Sequence, residues 1–200
     1  MSRTLEFIFD AGSPNAYLAW RVIPEILART GATLKVTPAL LGGIFKATNN
    51  RPPMVAFGEV KGKMGYEMLE MRRFIARHDL TQFRMNPHFP VNTLGAMRAV
   101  TAATTLGLTE PVVEAVLVAM WENGLKLDEP DVLRAVLVGA DLDADAILAA
   151  AASLPVKQAL MDTTAAVVER GVFGIPSFFV GDEMWFGKER LGQVEEALSA

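Results

Sequence analysis

The sequence predicts an α/β protein in which a β-α-β unit begins the chain, a long all-helical stretch follows, and a β-β-α unit ends it. Two short apolar segments, Leu5–Phe9 and Thr33–Val36, have the composition of buried strands and flank a helical pattern. Residues 39 to about 156 show almost no strand pattern. Two further segments, Ser177–Val180 and Met184–Phe186, again indicate strands.

Capping residues at both ends predict the helix between the first two strands. Ser13 is a favourable N-cap residue, and Pro14 fits the first helical turn. Apolar residues then recur at helical spacing until Gly31, which ends the helix. Pro24 inside this pattern predicts a kink or a local break. A strand–helix–strand unit makes a right-handed crossover, so we expect the two strands to be parallel.

The middle of the chain is predicted to form six helices, which are Gly62–Arg77, Asn92–Gly107, Glu110–Gly124, Pro130–Gly139, Ala144–Ser153 and Pro155–Arg170. Gly181-Asp182 favours a hairpin turn between the last two strands. A helix over Gln193–Leu198 ends the chain. We therefore predict an α/β domain of β-α-β and β-β-α units built from residues 1–38 and 157–200, with an all-helical domain of residues 39–156 inserted into it.

Composition and charge disfavour several classes of protein. With 200 residues, of which 51% are hydrophobic, the chain can fill a core of its own. A net charge of −4 argues against nucleic acid or an anionic membrane surface as a partner. No apolar run approaches the length of a membrane span. A strand that begins by Leu5 leaves no room for a signal peptide, which predicts a cytoplasmic protein.

Metal chemistry and triad chemistry are also disfavoured. The chain has no cysteine, and its two histidines, His78 and His88, lack a second ligand at the spacing of a metal site. Ser13 lies in Gly-Ser-Pro rather than in a Gly-x-Ser-x-Gly turn. No glycine-rich phosphate loop is present. We therefore expect neither a metal nor a nucleophilic triad.

Two segments near opposite ends of the chain resemble the thioredoxin-like fold. Residues 171–190, GVFGIPSFFVGDEMWFGKER, are similar to the Gly-x-Pro turn and hairpin that close that fold. Residues 7–17, FIFDAGSPNAY, are similar to its first strand and the start of its first helix. Redox members carry Cys-x-x-Cys at this turn, whereas here Ser13-Pro14 takes that place. Such a protein has no thiol for disulfide chemistry but can hold the thiol of another molecule, and glutathione is the obvious candidate.

Ser13 is the candidate catalytic residue. A hydroxyl at a helix N-terminus can donate to an anion, and the helix dipole and free N–H groups there favour a thiolate. Such settings lower a thiol pKa from about 8.5 by one unit or more. The alternative is that Ser13-Pro14 is an ordinary helix cap, which is the commoner role of this pair taken alone. The thioredoxin-like turn in a cysteine-free chain favours the catalytic interpretation.

Gly174-Ile175-Pro176 predicts a cis-proline turn that faces Ser13 across the fold. Ile175, the residue before the proline, then offers its backbone N–H and C=O to an extended peptide such as glutathione. The alternative is a purely structural turn, because Gly-x-Pro alone is common. Its position directly before the hairpin favours the binding role.

Asn50-Arg51, which two prolines follow, is the candidate substrate-binding loop. An amide beside a planar cation suits a carboxylate. Lys61, Lys63 and Tyr66 either extend this carboxylate-binding surface or are ordinary surface residues. The helical insertion and Trp121 are expected to supply apolar walls. The alternative for Arg51 is an exposed position on a proline-rich turn without a ligand.

Several motifs resemble, in order, the 2-hydroxychromene-2-carboxylate isomerase family, which is grouped with kappa-class glutathione transferases and DsbA-like proteins. These motifs are Phe9-Asp10, Ser13-Pro14-x-x-Tyr17-Leu18-Ala19, Asn49-Asn50-Arg51-Pro52-Pro53, Phe89-Pro90-Val91-Asn92, Val172-Phe173-Gly174-Ile175-Pro176-Ser177 and Gly187-x-x-Arg190-Leu191. The resemblance covers nearly the whole chain. It implies a thioredoxin domain with an inserted helical domain, usually as a homodimer, and glutathione as cofactor.

The resemblance also implies a glutathione site built from three segments: Ser13-Pro14 at the thiolate, Ile175-Pro176 along the peptide backbone, and Gly187-Lys188-Glu189 at the γ-glutamyl end. Asn50-Arg51 would border an aromatic carboxylate substrate. The family usually has an aspartate where this chain has Glu189 and a small polar residue where it has Lys188. The negative charge is therefore kept with an altered geometry.

The activity implied by the resemblance is the glutathione-dependent cis–trans isomerisation of 2-hydroxychromene-2-carboxylate to trans-o-hydroxybenzylidenepyruvate in aromatic catabolism. Addition of the thiolate turns a conjugated double bond into a single bond that can rotate, and elimination returns glutathione. Two alternatives stay open: a kappa-like glutathione transferase or peroxidase acting on another electrophile, and a non-catalytic module that binds thiols or peptides.

Overall fold

The computed structural model describes residues 3–200, so the first two residues of the predicted 1–38 segment lie outside the described part. One four-stranded sheet has the order β2-β1-β3-β4. The strands are β1 (Thr4–Phe9), β2 (Thr33–Pro38), β3 (Ser177–Val180) and β4 (Glu183–Phe186). β1 pairs in parallel with β2 and antiparallel with β3, and β3 and β4 form an antiparallel hairpin. The predicted β-α-β unit and terminal hairpin are confirmed.

Ten α-helices lie within the described residues, and they are α1 (Pro14–Thr30), α2 (Leu41–Thr48), α3 (Pro53–Ala56), α4 (Lys63–Arg77), α5 (Leu94–Leu106), α6 (Thr109–Trp121), α7 (Pro130–Gly139), α8 (Ala144–Ala152), α9 (Leu154–Glu169) and α10 (Leu191–Ser199). A 3-10 turn, Lys188–Arg190, precedes α10. Helices α2 and α3 were not predicted. Helix α2 contains two glycines, which disfavour helices, and α3 is a single turn.

Helix α1 runs without a break through Pro24, so of the two predicted effects the local break is wrong and the kink stays a prediction. Proline removes one backbone N–H from the helix. Pro24 itself is exposed, while Ile23 and Ile26 beside it are almost completely buried. Packing of this apolar face against the sheet therefore holds the helix together. Gly31 ends α1 with φ 66°, in the left-handed conformation expected of a C-cap glycine.

Partly buried polar contacts join α1 to α6 of the predicted insertion and to the residue that follows α6. The guanidinium of Arg21 forms ion pairs with Glu114 and Glu122. The indole N–H of Trp20 donates to Glu114 at 2.7 Å, and the Tyr17 hydroxyl donates to Glu122 at 2.9 Å. These contacts join the sheet-bearing part of the chain to the helical part.

One apolar core continues from the sheet into the helical stretch, where it includes Met97, Val116 and Trp121. The division into residues 1–38 with 157–200 and residues 39–156 stays a prediction. No helix within residues 3–200 is long and apolar enough to cross a membrane.

Candidate functional site

Ser13 is the N-cap residue of α1, and only 4% of its surface is exposed. Its hydroxyl accepts a hydrogen bond from the Ala16 N–H at 3.2 Å and donates to the Ile175 carbonyl at 3.0 Å. The side chain therefore caps the helix and also contacts the loop before β3. The capping alternative and the binding interpretation are compatible at this residue.

The Ile175–Pro176 peptide bond is cis, which confirms the prediction from the Gly-x-Pro turn. The Ile175 carbonyl accepts from Ser13, while its N–H has no hydrogen-bond partner within residues 3–200. A peptide that pairs with this loop as an added strand needs one donor and one acceptor from it. Ile175 has both groups, and the Ser13 hydroxyl can release the acceptor by rotating.

Buried Asp10 holds the turn that carries Ser13. Its Oδ1 accepts from the Gly12 N–H at 2.8 Å and from the Thr93 hydroxyl at 2.8 Å. Its Oδ2 accepts from the Leu41 N–H at 2.7 Å. Thr93 directly precedes α5, and Leu41 begins α2. One carboxylate therefore fixes the Ser13 turn against two helices of the predicted insertion.

Burial and hydrogen bonding shift the pKa of Asp10 in opposite directions. Burial raises the pKa of the Asp10 carboxyl above its ordinary value of 3.8, and hydrogen bonds from Leu41, Gly12 and Thr93 lower it in part. Each of these donors favours the ionised form. Loss of a donor would therefore raise the pKa of Asp10 further. Gly12 suits this packing, because a Cβ there would lie 3.2 Å from Cγ2 of Thr93 and would require a shift of a few tenths of an ångström.

Trp121 supports the same turn and does not form a wall of a substrate site. Its side chain is fully buried, and its indole N–H donates to the Ala11 carbonyl at 2.8 Å. The Ala11 N–H in turn contacts Sδ of Met97 at 3.3 Å. The prediction that Trp121 lines the substrate site is therefore wrong. The sequence around a tryptophan in a helix does not indicate which distant carbonyl will accept a hydrogen bond from its indole N–H.

Gly187-Lys188-Glu189 lies next to the cis-proline loop, because the Gly187 N–H donates to the Pro176 carbonyl at 2.9 Å. Lys188 is only 3% exposed. Its ammonium bonds to Glu189 and lies 5.3 Å from the ring centroid of Phe74. The Glu189 side chain keeps 46% of its surface exposed. Of the two charged side chains in this segment, Glu189 alone remains accessible to a ligand.

Asn50 and Arg51 adjoin the same loop from the other side. Nδ2 of Asn50 donates to the Phe173 carbonyl at 2.9 Å, and Oδ1 accepts from the Arg51 N–H at 2.8 Å. Arg51 is exposed, and its guanidinium makes no ion pair within residues 3–200. Lys63 pairs with Glu67 of the same helix. The structure therefore brings Asn50 to the cis-proline loop and leaves the Arg51 guanidinium without an ion-pair partner in the described part of the chain.

An exposed aromatic pair borders the site, and the sequence did not single it out. The ring centroids of Phe173 and Phe186 lie 4.6 Å apart, and the residues are 40% and 42% exposed. Gly174 packs under this pair, since a Cβ there would lie 2.7 Å from the Phe186 ring. The glycine before Ile175 was the available signal, because it permits a close approach of a side chain to the loop.

No group of three or more histidine, cysteine, aspartate or glutamate side chains within residues 3–200 is arranged to hold a metal ion. The site described above consists of a hydroxyl, backbone amides, one accessible carboxylate, one exposed guanidinium and two aromatic rings. These groups are suited to binding a small peptide and an organic anion.

Comparisons with known proteins agree with this arrangement. The model of the DSBA-like thioredoxin domain matches residues 4–199. The 2-hydroxychromene-2-carboxylate isomerase of Sphingobium xenophagum is 28% identical over 200 residues, which cover 99% of this chain and 99% of that protein. Glutathione S-transferase kappa 1 of Homo sapiens is 25% identical over 209 residues, with coverages of 96% and 88%. The similarity to both kinds of enzyme extends over nearly the whole chain.

A solved structure of a 2-hydroxychromene-2-carboxylate isomerase superposes on this one with a TM-score of 0.78. The two chains are 26% identical, and the match covers 98% of this chain and 94% of the other. The resemblance expected from the sequence motifs and the thioredoxin-like fold class are both confirmed.

We predict that Thr93→Val lowers the free energy of unfolding by about 1.5–3 kcal/mol at pH values where Asp10 is ionised, because it removes a hydrogen bond to a buried carboxylate. The Thr93 hydrogen bond lowers the pKa of Asp10, so it stabilises the fold only when Asp10 is ionised. The loss should therefore be largest above the pKa of Asp10 and shrink as pH falls through it. Denaturant unfolding at several pH values measures this loss.

Thr101→Val is the matched control, because the Thr101 hydroxyl bonds to the Met97 carbonyl of its own helix and does not contact Asp10. Its effect should not change with pH in the acidic range. Equal pH profiles for the two variants would contradict the role given to Asp10.

Proposed function

Because the chain belongs to the DSBA-like thioredoxin domain family, we propose that it is a glutathione-dependent isomerase that converts 2-hydroxychromene-2-carboxylate to trans-o-hydroxybenzylidenepyruvate. The observation that carries this proposal is the 3.0 Å hydrogen bond from the Ser13 hydroxyl to the Ile175 carbonyl. It joins a hydroxyl, in a chain without cysteine, to the loop that binds peptides in this fold. Such a site binds a thiol without exchanging a disulfide.

The residues around Ser13 fit glutathione as the cofactor. When bound, glutathione would supply a thiolate nucleophile for a conjugated acceptor. The Ser13 hydroxyl can turn from the Ile175 carbonyl and donate to the negative sulfur. The Ile175 carbonyl is then free to accept from a peptide N–H, and the Ile175 N–H can donate to a peptide carbonyl. Glu189, the accessible carboxylate beside Gly187, suits the amino group at the γ-glutamyl end.

The surroundings of Ser13 favour the charged form of a bound thiol. Ser13 caps a 17-residue helix whose N-terminal dipole attracts negative charge. The position is almost completely buried, so this dipole acts through a lower dielectric than water. The hydroxyl and the helix therefore act together to lower the pKa of a thiol at this position.

The acceptor substrate belongs on the side of the cis-proline loop where Asn50, Arg51 and the two phenylalanines lie. The Arg51 guanidinium is suited to a carboxylate, and Asn50 keeps the loop in place through Phe173. The exposed Phe173–Phe186 pair, whose rings are inclined at 50° to each other, offers an apolar surface to an aromatic ring. This combination supports an aromatic carboxylate as the acceptor.

The second candidate is a kappa-like glutathione transferase or peroxidase that acts on another electrophile, which the 25% identity to glutathione S-transferase kappa 1 favours. A non-catalytic module that binds thiols or peptides is the third interpretation. Calorimetric titration with glutathione, followed by assays with the chromene carboxylate, aromatic electrophiles and peroxides, distinguishes the three. The cytoplasmic location and the homodimer implied by the resemblance stay predictions, and sedimentation velocity tests the homodimer.

We predict that Ser13→Ala lowers kcat roughly 10²–10³-fold, because it removes one preorganised donor to an anion. The fold should survive, with a loss of about 0.5–2 kcal/mol for the missing N-cap. Steady-state kinetics with saturating glutathione and a thermal unfolding curve measure the two effects. Ser177→Ala is the control, since the Ser177 hydroxyl bonds to Gly174 on the same loop without contacting Ser13. Full turnover by Ser13→Ala would overturn the assignment.

We predict that Arg51→Ala raises the KM for the acceptor carboxylate about tenfold or more, because a hydrogen bond to a charged group is lost. The KM for glutathione should stay unchanged. Kinetics with both substrates varied measures the two constants. Arg72→Ala is the control. It removes a different exposed arginine, which lies in α4, and should change neither constant. An unchanged acceptor KM in Arg51→Ala would show that Arg51 does not bind substrate.

A further inference from the structure

Two arginines within residues 3–200 are partly buried, and their environments differ. Arg21 forms ion pairs with Glu114 and Glu122. Arg98 has no hydrogen bond or ion pair in the described part of the chain, and its Nε is buried without an acceptor. Withdrawing a charged group from water without a counterion is unfavourable. Arg98 is therefore a cation that an anionic ligand would stabilise.

Arg98 faces a pocket away from the Ser13 turn. Thr93 and Met97 of the same region contact the turn, whereas Arg98 lines a pocket together with residues of α7 and α8. The pocket between these helices has a volume of about 550 Å³. This is within the range of small-molecule sites, which is about 300–1,000 Å³. Its apolar lining includes Leu94 and Leu148, which are partly exposed, and Leu133, which is almost completely buried.

The other charges around the pocket limit which anion fits. Arg134 is already paired with Asp145, and Asp128 lies 3.6 Å from the ammonium of Lys126. Asp131 is in the first turn of α7 and also lines the pocket. Among the residues that the structure describes, the pocket has one guanidinium without an ion-pair partner, that of Arg98, and it also contains carboxylates. It therefore accommodates a ligand with one negative charge better than a ligand with two. The leucines provide contacts for an apolar group.

From these observations we propose that the pocket between α5, α7 and α8 binds a small organic monocarboxylate, with its carboxylate on Arg98 and its apolar part on the leucines. This site is separate from Ser13 and independent of the glutathione chemistry proposed there. It therefore provides the protein with a second, non-catalytic position for an organic acid.

The test uses benzoate as the probe, with benzamide and inorganic phosphate as comparisons, followed by methyl and amide NMR of the full chain. Benzoate should shift signals of Leu133 and Leu148, whereas benzamide and phosphate should bind at least about tenfold more weakly, because a charge-assisted hydrogen bond or an apolar group is missing. The same shifts should occur in Ser13→Ala and in the presence of saturating glutathione.

Arg98→Gln should weaken benzoate binding about tenfold or more, and Arg98→Lys should recover part of it because the charge returns. Arg134→Gln, which removes a paired arginine from the edge of the same pocket, should change little. Thermal unfolding curves check that each variant is folded. If Arg98→Gln is not folded, Arg98→Lys becomes the test variant, and it should bind benzoate more weakly than the native protein. Equal binding of benzoate and benzamide, shifts confined to the Ser13 and Arg51 loops, or unchanged binding in a folded Arg98→Gln would each overturn the proposal.

Discussion

The carboxylate of Asp10 is the interaction on which the candidate site depends. It ends β1 and accepts hydrogen bonds from Gly12, Thr93 and Leu41, so one buried side chain fixes the Ser13 turn, the start of α5 and the start of α2. Burial disfavours the charge of this carboxylate and its three donors offset that cost in part, so loss of any one donor disfavours the ionised form further. The loop that carries Asn50 follows α2 directly, so the same carboxylate also helps to position the proposed substrate-binding loop.

This arrangement makes the helical insertion part of the site. Thr93, Met97 and Trp121 all lie in the inserted stretch, and each contacts the short segment between β1 and α1. On the opposite side, the cis-proline loop reaches Ser13 through the Ile175 carbonyl. The Ser13 turn is thus held between two parts of the chain that are distant in sequence. A thioredoxin-like sheet alone would leave this turn without those supports.

The sequence predicted the parts of the molecule that depend on short-range patterns. Strand composition, the Ser13-Pro14 cap and the Gly181-Asp182 turn each indicate their structure within a few residues, and the Gly-x-Pro motif indicated the cis peptide bond. Contacts between distant residues left no such pattern. The indole N–H of Trp121 meets a carbonyl 110 positions away, and Lys188 is buried under a helix from the insertion. Helix propensity also misled the prediction for α2, because glycines disfavour a helix. These glycines are tolerated since α2 packs against α9.

The central claim is that Ser13, the N-terminus of α1 and the cis-proline loop together stabilise a glutathione thiolate. The most direct measurement is the pKa of the thiol of bound glutathione, followed through the ultraviolet absorbance of the thiolate as pH is raised. We expect a pKa at least one unit below the free-thiol value of about 8.5 in the native protein and a return toward that value in Ser13→Ala. Bound glutathione with an unshifted thiol pKa, or with the same lowered pKa in both proteins, would contradict it.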